Sequence, residues 1–139
     1  MTAANTDLFD QAMERYRSGA EASELIGDFE AITAAMPQQA AGFTCLSWLQ
    51  LLCNQPEQAL RSARTAVKLN GQDPQARINL CLAMLETKAK GVRDHIHAVQ
   101  QLVNISPDFA ADLKESIADG LQRKPGWPAL KKVNDWLEL

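Results

Sequence analysis

Residues 56–76 read PEQALRSARTAVKLNGQDPQA, and the architecture of the whole chain can be worked outward from them. Pro56 suits the first position of a helix, where its missing N–H is not needed. Ala59, Leu60, Ala63, Ala66, Val67 and Leu69 recur at helical spacing as a buried stripe, while Arg61, Arg64 and Lys68 share the opposite, wet face. Asn70 and Gly71 end that helix, and Asp73-Pro74 supplies a cap and first-turn proline for the next. Upstream, Phe43, Leu46, Trp48, Leu49 and Leu52 form a helix so apolar that it must be covered on most sides, joined through the turn Asn54-Gln55-Pro56. Residues 40–73 are therefore one helix-turn-helix unit.

The unit repeats. Phe9, Phe43 and Arg77 are 34 residues apart, and Leu113 follows 36 later. Met13, Ser47, Cys81 and Ile117 keep the same steps, as do Leu25, Ala59, His95 and Ala129, and Pro37, Gly71 and Pro107 mark the unit ends. A fixed period of this size predicts a solenoid in which each unit buries its apolar face against its neighbours. The expected fold is all-α: about eight antiparallel helices in four units, at about residues 6–39, 40–73, 74–109 and 110–139, forming one domain over 1–139. Asn5 or Thr6 is expected to cap the first helix, Ser18-Gly19 to end it, and Ser106-Pro107 to open the seventh.

Composition narrows the function classes. The 139 residues are 46% hydrophobic and 22% charged, with few aromatics, which suits an ordinary soluble helical domain. Three cysteines, an odd number with no CxxC pair, point to a reducing interior. The start MTAANTDLFD lacks a basic segment followed by an apolar one, and no apolar run approaches the ~20 residues that span a bilayer. The expectation is a cytoplasmic protein with no integral membrane segment. Net charge is −3, with seven acids against two arginines in 1–37 and seven bases against four acids in 38–106. An acidic chain without a dense Lys/Arg stripe argues against nucleic acid. The basic middle reads either as ordinary solvated surface or as a preference for an acidic partner segment.

These features resemble the tetratricopeptide repeat family. Phe9, Phe43 and Leu113 fill its bulky slot, Tyr16 its late aromatic slot, Ser47, Cys81, Ala59, Ala66 and Ala129 its small slots, and Pro37 and Pro107 its closing proline. The sequence departs at Arg77, at the large Met13 and Ile117, at Leu25 and His95 in small slots, and at Trp136. These departures imply helix crossings unlike the family's regular superhelix. The resemblance implies a concave groove lined by the first helix of each unit. By position the partner-binding candidates are Thr44, Trp48 and Leu52 from the second unit, Gln75, Asn79, Leu82 and Glu86 from the third, and Lys114, with Ala118, from the fourth. Asn79 stands where chaperone-cofactor members hold a peptide backbone. Their basic clamp on a terminal carboxylate is replaced by Thr44, Gln75 and Glu115, so an apolar anchor is the better ligand. Two readings stay open for Trp48, groove anchor or core, and two for Asn79, backbone reader or internal polar bridge.

Catalytic and metal chemistry find little footing. His95 and His97 are two apart on a helix and point to nearly opposite faces. Cys45, Cys53 and Cys81 sit within apolar patterns, and neither a phosphate loop, a HExxH motif nor a nucleophile elbow occurs. The reading is therefore a non-enzymatic interaction module without cofactor or metal, an adaptor or assembly factor taking a partner peptide or helix in its groove. The alternatives are a small client chaperone shielding one subunit, similar to small three-repeat chaperones, and a structural subunit of an oligomer. The partner's identity and the oligomeric state stay open.

Overall fold

The computed structural model describes residues 3–139, with side chains from Asp7 onward. Among them are eight helices and no strand: α1 Ala3–Arg17, α2 Ala22–Ala35, α3 Ala40–Leu52, α4 Pro56–Leu69, α5 Pro74–Thr87, α6 Val92–Ile105, α7 Pro107–Arg123 and α8 Pro128–Leu137. The all-α solenoid expected from the period is what forms. α1 corrects one detail, since it begins at Ala3 and runs through Asn5 and Thr6, which therefore do not cap it.

The local chemistry is visible at the helix ends. The Asp73 carboxylate accepts from the Gln75 N–H at 3.0 Å, and the Ser106 hydroxyl accepts from the Phe109 N–H at 3.3 Å, each satisfying a donor left over in the first turn. Pro56, Pro74, Pro107 and Pro128 all occupy first-turn positions. Gly91 turns the chain into α6 with φ of 102°, a left-handed conformation that costs other residues a steric penalty.

Packing is tightest through the second and third units. Ser47, Ala59, Ala63, Ala66, Ala76, Cys81 and Ala83 are all fully buried, so α3, α4 and α5 approach closely on small side chains. Two departures from the repeat pattern explain one another. Arg77 reaches back to donate to the Gly71 carbonyl at 2.8 Å, and its guanidinium lies 3.0 Å from Nδ1 of His95. The polar residue in the bulky slot thus finds its partner in the neighbouring small slot.

The fourth unit breaks the regular stack. α8 packs against α5 and α6, and Trp127, immediately before it, is 1% exposed. Its ring meets Trp48 of α3 at 5.6 Å between centroids, tilted by 48°. Gly120 of α7 lies against that same Trp48. α7 thereby meets the second unit at Trp48.

Candidate functional site

The first helix of every unit contributes to one cleft of about 160 Å3. α1 brings Met13 and Tyr16, α3 brings Thr44, Cys45, Trp48 and Leu49, α5 brings Gln75 and Asn79, and α7 brings Ser116 and Asp119. Phe29 of α2 closes the end beside Phe9, with which it makes an edge-to-face contact at 5.8 Å. The lining is mostly apolar, with polar groups confined to Thr44, Gln75, Asn79, Ser116, Asp119 and the Tyr16 hydroxyl.

Of the eight residues expected to bind a partner, four meet here: Thr44, Trp48, Gln75 and Asn79. The other four go elsewhere. Leu82 is fully buried in the main core. Leu52 is half-buried where the two larger apolar clusters join. Glu86 lies 3.7 Å from the Lys124 ammonium, and Lys114 is exposed on α7 outside the cleft. Ala118 is likewise exposed outside it.

Both open readings meet at Trp48 and Asn79, which line the cleft yet are built into the fold. Trp48 is only 9% exposed and donates through its indole N–H to the Tyr16 hydroxyl at 2.8 Å. Asn79 is completely buried. It donates to the Thr44 carbonyl at 2.9 Å and the Ser47 hydroxyl at 3.0 Å, and accepts from the Gln75 amide at 2.8 Å. This network ties α3 to α5 and fixes the cleft floor. A buried polar group so fully paired gives the two helices one register.

The electrostatics favour packing over chemistry. Burial, with the Asp73 charge adding to it, pushes the Cys45 thiol up to about 12, and burial pushes Cys81 to about 12 as well. Both are protonated at neutral pH and so are poor nucleophiles and poor metal ligands. Cys45 instead sits with its sulfur 3.5 Å from that of Met13. Burial, and then the Asp119 carboxylate accepting its proton, raises the Tyr16 hydroxyl above its ordinary range. Glu86 is raised by burial and partly restored by Lys124, and one of its carboxylate oxygens and the Trp127 indole N–H are buried without a hydrogen-bond partner. Among the described residues no three His, Cys, Asp or Glu side chains converge as a metal site.

Position in the repeat could not single out Met13, Cys45, Ser116 or Asp119. Tyr16 carried a signal as the late aromatic of the first unit. The Asp119/Arg123 spacing of four residues was a second signal, since it is that of a helical ion pair.

No protein-family model matches the chain, and no curated protein does. Solved structures do. The Yersinia enterocolitica type III secretion chaperone SycD, in complex with a peptide of the translocator YopD, superposes with a TM-score of 0.71 at 16% identity, covering 88% of this chain and 92% of that one. A type III secretion complex from Aeromonas hydrophila gives 0.70 at 18% identity, covering 97% and 85%. PcrH, in complex with the chaperone-binding region of PopD, gives 0.67 at 18% identity, covering 86% and 92%. At such identities the likeness is one of fold: a TPR-like helical array, nearly whole in every case.

Proposed function

We propose that this chain is a non-enzymatic protein-binding module, a degenerate four-unit member of the tetratricopeptide repeat family, which holds an extended segment of a partner protein on its concave face. The observation that carries this reading is the apolar cleft where α1, α3, α5 and α7 converge. Its 160 Å3 is well below the ≈300–1,000 Å3 of small-molecule sites and close to the ~150 Å3 that accepts a benzene ring. It suits one leucine-, methionine- or phenylalanine-sized side chain. Gln75 and Ser116 bring polar groups to the same cleft, where they can hold the flanking backbone. No nucleic acid is involved on this reading, and the three free cysteines suit a cytoplasmic setting.

A second reading, a chaperone for one client, is favoured by the names of the structural neighbours. SycD is a translocator chaperone solved with a translocator peptide, and PcrH was solved with the chaperone-binding region of PopD. The same cleft serves both readings, and they differ in whether the partner needs this protein to stay soluble.

The test is a selection from displayed peptides against wild type and Ser116→Phe, a change on α7 that fills the cleft. Wild type should enrich peptides sharing one apolar anchor, with capture reduced roughly tenfold or more by the phenylalanine. Equal capture by a folded Ser116→Phe protein overturns the groove reading. For the chaperone reading, a parent protein of such a peptide should be soluble only when co-expressed with this chain.

A further inference from the structure

In a solenoid each unit touches only its neighbours in the stack. Here the first unit also touches the fourth. α1 ends in the turn Ser18-Gly19, where Gly19 takes φ of 99° and the Ala20 N–H bonds back to the Arg15 carbonyl at 3.0 Å. The last carbonyls of a helix lack partners within it and carry its negative end. Arg123 of α7 donates to two carbonyls at this end: that of Tyr16 at 2.7 Å, which also accepts from the Gly19 N–H at 3.1 Å, and, just beyond the helix, that of Ala20 at 2.9 Å. Its guanidinium carbon lies 3.8 Å from the centre of the Tyr16 ring. Asp119, one turn before Arg123, accepts from the Arg123 Nε at 3.3 Å and from the Tyr16 hydroxyl.

This Tyr16–Asp119–Arg123 bridge divides the concave face. On one side is the apolar cleft just described, and on the other a wider depression of about 640 Å3. Asp119 lines both. The second depression is polar, walled by Arg17, Glu21, Ser23 and Gln122, with Leu52 and Cys53 at its inner side.

We propose that the bridge is a clasp whose release joins the two clefts into one channel for the partner segment, so that its opening governs loading. This deepens the groove reading and rests on it. The contact has the make-up of a clasp because it consists of hydrogen bonds and one stacked ring. The Arg123 and Asp119 side chains keep 20% and 36% of their exposure, so their bonds can be exchanged for water. α1 rests its backbone on α2, and Gly19, with open space around it, supplies a joint between α1 and α2. The segment that fits the open channel is extended, with an apolar side chain in the first chamber and polar residues crossing the second.

Cys45 reports on the clasp without any partner, because it lines the first chamber while Cys81 is fully buried. The experiment measures maleimide labelling of Cys45 and Cys81, resolved by mass spectrometry, in a Cys53→Ser background under native conditions. Arg123→Ala and the gentler Asp119→Asn should each speed Cys45 labelling roughly tenfold, the scale of losing one or two charge-assisted hydrogen bonds, with Cys81 unchanged. A peptide from the selection above should then associate faster with both variants. Cys45 labelling within about twofold of wild type in both folded variants overturns the clasp. So does equal acceleration at Cys81 in both, which would make the bridge part of global stability. Unchanged association despite faster labelling also overturns it. The labelling arm involves no partner, so its failure leaves the groove reading to stand or fall by the peptide selection.

Discussion

Gly120 lies flat against the Trp48 indole: a Cβ at this position would fall 2.8 Å from the ring's Cη2 and 2.7 Å from a Leu130 methyl. A glycine inside α7 therefore fixes how closely the fourth unit approaches the second. Gly120→Ala gains about 1 kcal/mol of helix propensity but forces two buried side chains aside, which costs about 1–3 kcal/mol. The expected outcome is a net loss of roughly 1 kcal/mol in urea denaturation, opposite in sign to the usual effect of Gly→Ala within a helix.

Trp48 carries the other side of that contact. With its ring against Trp127 and Gly120 and its N–H on Tyr16, Trp48→Ala should cost about 3–5 kcal/mol of stability. Trp48→Phe should cost less, since it keeps much of the ring volume and loses the hydrogen bond. Chemical denaturation of the three proteins checks the order. A Trp48→Ala protein as stable as wild type would contradict the burial.

Asn79→Ala would leave the Gln75 amide without its acceptor and the Ser47 hydroxyl without its donor, with the Ser47 hydroxyl as the one side-chain donor left to the Thr44 carbonyl, all at the α3–α5 contact. A loss of about 2–3 kcal/mol is expected from unmaking these bonds. Asn79→Asp keeps the shape but replaces the amide donor with a second acceptor. Its penalty should grow as pH rises through the carboxylate range, and a urea series at several pH values reads this directly.

His95 gives the fold a pH dependence of definite sign. Burial, then the charge of Arg77, lowers its pKa below the ordinary 6.5, and Nδ1 must be unprotonated to accept from Arg77. The unfolded chain then binds more protons than the folded one just below pH 6.5, so stability falls as pH drops from about 7 toward about 5. Glu86 and Asp73, raised by burial, act oppositely near and above their ordinary 4.5 and 3.8, where rising pH removes stability. His95→Gln can still accept from Arg77 without titrating. Its urea midpoint should be flatter than wild type across about pH 5–7.

The helices were legible because the information is local. Pro56, Pro74 and Pro107 start them, Asp73 and Ser106 cap them, and the apolar slots recur at fixed steps. The four cleft residues Thr44, Trp48, Gln75 and Asn79 were legible for the same reason, since a place in the repeat determines which face of a first helix is concave. Arg77 and His95 appeared in the sequence only as two separate misfits, because their pairing crosses from one helix to the next. The approach of α7 to α3 and α1 was not legible at all. It depends on a glycine fitting an indole 72 positions earlier and on Tyr16 meeting Asp119 across 103 residues, distances over which no periodicity carries a signal.

The meeting of the first and last units also changes how this chain should come apart. An open stack of repeats melts from its ends, because a terminal unit is held on one side only. Here the terminal helix α1 is held on a second side by Arg123, so its fraying requires breaking contacts with residues at the far end of the sequence. Backbone amides near Tyr16 should then exchange with solvent more slowly in wild type than in Arg123→Ala. A chain cut short after α6 should lose that protection first in α1, the helix farthest in sequence from the cut.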